Sequence, residues 1–300
     1  MSLIQKYAPT MQLVVAMMRS DGCIDPLAVQ PLDQWHRGPR HIELIRHSYG
    51  ATMLDVLTRE LGLVSLDEDG LLRSSIIIVT SEEAVKGAVM RLLGKIAEAI
   101  VVRRCNEDVA LNRRWGQIGR RGRFVHNALD DFIAIGTGLE TTRQRFPQKY
   151  SPTDSHRDVI WVHRDDTVRE LQMLAHGRPA GISAGIQLKV STDGYRYVYR
   201  QDIARAKYEV PLVYFDLRND YNDLTNAIYA EDREVVIGVD IVRGADVDPA
   251  LHDELLSYYH LAEALVRGQI TPDDLVSTPL LADAAKKDVL ESRNVTVASI

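Results

Sequence analysis

Apolar residues recur at spacings of three and four over 41–46 and 51–61, the signature of helices with one face turned to a core. Gly62 follows as a C-terminal cap. Two short apolar pieces around an acidic Asp-Gly turn, 63–72, then predict a small hairpin. Helix followed by hairpin is how many winged-helix modules end. Thr80 and Glu83 make a capping-box pair that opens a long helix, with its stripe at Val85, Val89, Leu92, Ile96 and Ile100. Further along, the pattern predicts a helix over 124–135, a strand over 158–162 and a helix over 167–175. Two strands (182–191 and 210–215) follow, joined by a short crossover helix at 200–208. A strand at 234–242, a helix at 249–267 and a polar tail complete the chain. Alternation of helices and strands through the middle predicts an α/β protein with a mixed central sheet flanked by helices.

This divides the chain into a mainly helical region at 1–78, an α/β core at 79–230 and a strand–helix extension at 231–300. With 300 residues, 45% hydrophobic and 26% charged, there is ample material for a full core. Apolar runs such as 75–80 fall far short of the ~20 residues needed to cross a bilayer. The opening MSLIQKYAPT lacks the charged and apolar blocks of a secretion leader. Cys23 and Cys105 form no CxxC pair, which speaks against a disulfide framework or a zinc finger. A cytoplasmic protein without membrane contact is the expectation.

Net charge is −6, at first sight unfavourable for a nucleic-acid partner. Its distribution is uneven: residues 216–300 carry 17 acids and 7 bases, which leaves 25 acids and 29 bases in 1–215. Arg103, Arg104, Arg113, Arg114, Arg120, Arg121 and Arg123 crowd one segment, with Arg143, Arg145 and Lys149 beyond it. Such a cluster suits phosphate oxygens of DNA or RNA, with Arg113, Arg114, Arg120, Arg121 and Arg123 as the contacts. The competing reading is a solvated surface paired with the acidic C-terminal part.

The most informative string is Gly185-Ile186-Gln187-Leu188-Lys189-Val190-Ser191. In a strand, Ile186, Leu188 and Val190 share one face, and Gln187 and Lys189 share the other. A lysine on a central strand is costly to bury unless something negative meets it, and Asp158 at the head of another strand is the candidate. An aspartate and a lysine from neighbouring strands suit phosphodiester cleavage: the carboxylate binds Mg²⁺ and the lysine orients the nucleophile. Asp165 and Asp166 are fallback ligands, or an N-cap for the 167–175 helix. His156 and His163 lack the spacing of a metal pair. The tyrosines of 195–199 fit an amphipathic strand edge or a base-stacking surface. Phosphate-loop, dinucleotide and acyl-transfer motifs are missing from the sequence.

These residues resemble the PD-(D/E)xK, or restriction-endonuclease-like, nuclease superfamily, in the variant with glutamine at the second acid that is found in Mrr-type restriction proteins. Asp158 matches the metal-binding aspartate, Gln187 the D/E position and Lys189 the catalytic lysine. Gly94-Lys95-Ile96-Ala97-Glu98 looks like the family's glutamate-bearing helix, with Glu98 as the ligand that restores the charge Gln187 lacks. Helix arithmetic sets Glu98 on the side away from the Ile96 stripe, so a solvent-facing glutamate is the competing reading. The likeness spans about residues 90–225. It implies a Mg²⁺-dependent endonuclease that hydrolyses DNA in restriction or anti-phage defence and works as a homodimer. Two alternatives remain open: a non-catalytic nucleic-acid-binding or regulatory protein on the same fold, and an interaction protein whose acidic C-terminal part docks a basic partner.

Overall fold

A computed structural model describes residues 14–15, 30–31, 39–68, 71–122, 127–153, 156–175, 178–231 and 234–276. Arg123 and the tail beyond 276 lie outside the described residues. The first pairing among the described residues is a short antiparallel one of β1 (Val14–Val15) and β2 (Gln30–Pro31). Helix α1 (Pro39–Asp55) then runs into a π-helical turn, Val56–Glu60. Gly62, at φ +62°, ends it as the sequence predicts. The expected hairpin is β3 (Val64–Leu66) with β4 (Leu72–Ser74), antiparallel. Helix α2 (Glu82–Glu107) is capped by Ser81, whose hydroxyl accepts from the Ala84 amide at 3.3 Å; the cap is therefore one residue beyond Thr80. Asp108 caps α3 (Val109–Gly119) through the amides of Ala110 and Leu111.

The helix expected at 124–135 is instead a 3₁₀ turn, Asn127–Asp131, followed by β5 (Phe132–Gly136). After α4 (Glu140–Arg145), β6 (Val159–His163) pairs antiparallel with β5. No helix forms at 167–175. Leu171 and Met173, two apart, are both buried, and the chain builds the hairpin β7 (Gln172–Ala175) with β8 (Arg178–Ser183). The strand expected over 182–191 is thus divided between β8 and β9 (Gln187–Ser191). Strand β10 (Leu212–Asp216) lies parallel to β9 and to β11 (Ile241–Arg243). A parallel neighbour needs a crossover. Between β9 and β10 it is a π-helical turn, Gly194–Tyr199, and a 3₁₀ turn, Ile203–Arg205; between β10 and β11 it contains α5 (Tyr221–Ala230). The tyrosines of 195–199 are accordingly on a helical turn rather than a strand edge. Most of the strand expected at 234–242 is irregular, only its end entering β11. Helix α6 (Gly244–Val247) and the long α7 (Pro249–Val266) close the fold, α7 close to expectation.

A single antiparallel bridge, Val159 to Ile186, joins β5–β6 to β9–β10–β11 in a mixed arrangement. β10 is buried on both faces. Val213 and Phe215 pack into the large core of α1, α2 and α7, whereas Leu212 and Tyr214 pack against Val198, Leu224 and Ile228. The large core draws on Ile45 and Leu57, on Leu93 and Val190, and on Leu251 and Leu265, so all three sequence segments share it. The protein is mixed α/β, and among the described residues no helix is long and apolar enough to cross a membrane.

Candidate active site

The bridge at Val159–Ile186 determines where a site can open. β6 runs antiparallel to β9, so Asp158 sits opposite Gln187 at the end of the pairing. Beyond that point Leu188 has lost its strand partner on this side, and its amide turns to the Asp158 carboxylate, donating to Oδ2 at 2.7 Å. Gln187 Nε2 donates to the same oxygen at 2.6 Å. A cleft of about 200 Å³ opens there, lined by Glu98, Arg91 and Lys95 of α2, by Asp158, and by Gln187 and Lys189 of β9. Glu98, Asp158, Gln187 and Lys189, the residues matched to the nuclease pattern, therefore line one cleft.

Glu98 is buried rather than solvent-facing. Helix arithmetic assumes one covered face, but α2 is covered by the sheet on one side and by α7 on another; Glu98 is buried together with Ala97 and Ala99. Its Oε1 accepts from the Gly138 amide at 3.2 Å. Burial first, and the Asp158 charge after it, raise the Glu98 carboxyl, the Gly138 hydrogen bond and Lys95 oppose them, and together they leave it at about 8. A carboxyl beside a carboxylate with little water is a strained arrangement that a cation would relieve. Gln187 Oε1 is buried and lacks a hydrogen-bond partner. A buried acceptor left unpaired costs about 1–3 kcal/mol, so its retention at a cleft wall calls for an explanation.

Lys189 sits on the other side of the strand from the Leu188 and Val190 core. Its ammonium lies 3.4 Å from Asp202 Oδ2, and 5.2 and 5.1 Å from the ring centres of Tyr197 and Tyr208. Burial alone depresses the Lys189 ammonium. The Tyr208 hydrogen bond and the fields of Tyr197 and Asp202 outweigh it and hold the pKa above the ordinary lysine value.

Other candidates stand elsewhere. Asp165 and Asp166 are exposed in the turn after β6, where Asp166 accepts from the Val168 amide; neither lines the cleft. His163 packs edge-on against Phe132, and His156 faces Tyr208. Most of the described arginine cluster is engaged within the fold. Arg113 forms a two-point contact with Asp130 at 2.5 and 2.6 Å, and Arg114 donates to the Val247 carbonyl. Arg121 meets Asp240, and Arg104 meets Asp248 and Glu254. Arg104 and Arg121 thus pair with the acidic C-terminal part, as the competing reading has it. Arg120 is half-buried, with Nε unpartnered and its pKa lowered by burial. None of these arginines lines the cleft, whose positive charge comes from Arg91, Lys95 and Lys189.

The sequence did not single out Asp202, Tyr208 or the cleft-side role of Tyr197. The one local signal was Asp193-Gly194, whose aspartate caps the turn through the Arg196 amide at 3.0 Å. Among the described residues no three His, Cys, Asp or Glu side chains converge as a metal cage. The donor set at the cleft is two carboxylates and one amide oxygen, all hard oxygen ligands of the type Mg²⁺ takes. No family model, curated protein or solved structure matches this chain.

Proposed function

We propose that this protein is a Mg²⁺-dependent nuclease of the restriction-endonuclease-like type, hydrolysing phosphodiester bonds in DNA. The observation that carries the reading is the convergence of Glu98, Asp158, Gln187 and Lys189 on one cleft at the point where β6 and β9 part. Glu98, Asp158 and the unpartnered Gln187 Oε1 fit a hard divalent cation. A cation there would polarise the scissile phosphate and acidify a bound water. The chain's own contribution is positional. Asp158 is fixed by two hydrogen bonds from β9, Glu98 by the Gly138 amide, and Lys189 presents a fixed positive charge to a developing phosphorane. Arg91 and Lys95 supply positive charge for flanking phosphates.

A second reading, a non-catalytic DNA-binding or regulatory protein, is favoured by the Gln187–Asp158 hydrogen bond, which engages a carboxylate oxygen that a metal ligand would offer. Plasmid nicking separates the two. With Mg²⁺ the wild type converts supercoiled to nicked or linear DNA, and Lys189→Ala and Asp158→Asn do not. Equal nicking by wild type and Lys189→Ala rejects catalysis at this cleft; no nicking with retained, salt-sensitive DNA binding supports the second reading.

A further inference from the structure

Asp202 is 2% exposed and belongs to none of the residues matched above. It follows the π-helical turn 194–199, where its amide donates to the Val198 carbonyl at 3.2 Å. Ala206, in the left-handed region at φ +48°, then reverses the chain. That reversal returns Lys207 and Tyr208 over Asp202: Lys207 Nζ reaches Oδ1 at 3.1 Å, and the Lys207 amide donates to the Asp202 carbonyl at 3.1 Å. Oδ2 is left with no hydrogen bond, facing the Lys189 ammonium at 3.4 Å. Tyr197 and Tyr208 bring their ring faces to the same ammonium.

We infer that Asp202 is a positioning residue for Lys189: with the rings of Tyr197 and Tyr208 it forms a clamp that fixes the ammonium at the cleft wall. Two arguments support this. A lysine side chain is among the most mobile, and a flexible ammonium loses directional value in a transition state. A buried carboxylate survives only beside cations, and two lysines serve this one, of which Lys207 is half-exposed and suffices to neutralise it. Lys189 therefore adds charge beyond what Asp202 needs, leaving the group as a whole positive on the cleft side. The catalytic part of this inference rests on the nuclease reading; the structural part, an immobilised Lys189, does not.

The test keeps them distinct. The ¹H–¹⁵N correlation of the Lys189 ammonium, visible only when the group is held out of rapid exchange with water, is recorded for the full chain of wild type and Asp202→Asn. Steady-state nicking with Mg²⁺ is followed in parallel over a range of DNA concentrations. The expected result is a visible wild-type signal that disappears in Asp202→Asn, with kcat lower by about 100-fold at unchanged KM for DNA. Asp202→Glu, which keeps the charge on a longer arm, should restore the signal and part of kcat, and it carries the test if Asp202→Asn fails to fold. A signal that survives in Asp202→Asn overturns the clamp. A lost signal with unchanged kcat overturns the positioning role. An inactive wild type with a visible, Asp202-dependent signal leaves the clamp standing and refutes only the nuclease reading.

Discussion

Replacing Glu98 with glutamine should make the metal-free protein more stable at neutral pH, and the size of the gain follows from the site. In the unfolded chain this carboxyl ionises near its ordinary value of 4.5, whereas in the folded protein burial and the neighbouring Asp158 carry it to about 8. Below pH 4.5 both states hold the proton and Glu98 adds no pH dependence. Between 4.5 and 8 the unfolded chain releases the proton while the native state keeps it, so stability falls as pH rises; above 8 both are ionised and the loss is constant. At about 1.4 kcal/mol per pH unit, the wild type should lose about 3 kcal/mol relative to Glu98→Gln between pH 4.5 and pH 7. Glutamine retains an oxygen for the Gly138 amide, which keeps the packing change small. The assay is urea unfolding with EDTA at pH 4.5, 7 and 8.5, read as the difference between the two proteins. A difference that is flat with pH, or that shrinks as pH rises, refutes a buried, charge-repelled Glu98. Excess Mg²⁺ should reverse the order at pH 7, because a cation that binds the folded state stabilises the wild type selectively.

Other residues yield independent checks. A Cβ at Gly136 would lie 2.6 Å from Glu98 Oε1 and 2.6 Å from Leu139, so Gly136→Ala should displace Glu98 and weaken Mg²⁺ binding at least tenfold by calorimetry. Asn112 is 1% exposed, accepts from Trp161 Nε1 at 2.9 Å and donates to the Phe132 carbonyl at 2.9 Å. Asn112→Ala leaves both unsatisfied and should cost about 2–4 kcal/mol in urea unfolding at every pH, since no charge is involved. Arg113→Ala, which breaks an internal pair with Asp130, should leave DNA affinity within about twofold, whereas Arg91→Ala with Lys95→Ala should weaken it and flatten its salt slope in filter binding.

The parts of this fold that depend on local periodicity were legible in the sequence. β10 was recognisable as a continuous apolar run, and alternation along the strand expected over 182–191 placed Gln187 and Lys189 on one face of what is β9. α2 and α7 were recognisable as long apolar repeats. What escaped was decided by contacts distant in the chain. Glu98 looked solvent-facing because nothing near it in sequence reports that α7 covers α2 from the far side. The 167–175 segment has helical spacing, yet its Leu171 amide bonds to the Trp161 carbonyl and Val162 bridges Glu170, so the sheet takes it. The arginine run looked like a groove until Asp130, Asp240 and Asp248, one beyond the run and two a hundred residues and more away, supplied partners. Asp202 was invisible for the same reason: its role depends on the turn at Ala206 that folds Lys207 and Tyr208 back over it.

The most direct test of the central claim is an anomalous difference map from crystals soaked in Mn²⁺ at neutral pH. The account predicts one strong peak in the cleft, with oxygens of Glu98, Asp158 and Gln187 about 2.2 Å away and the Lys189 ammonium on the same cleft wall but outside the coordination sphere. A cleft that stays empty under saturating Mn²⁺ while the Gln187–Asp158 hydrogen bond persists would contradict it.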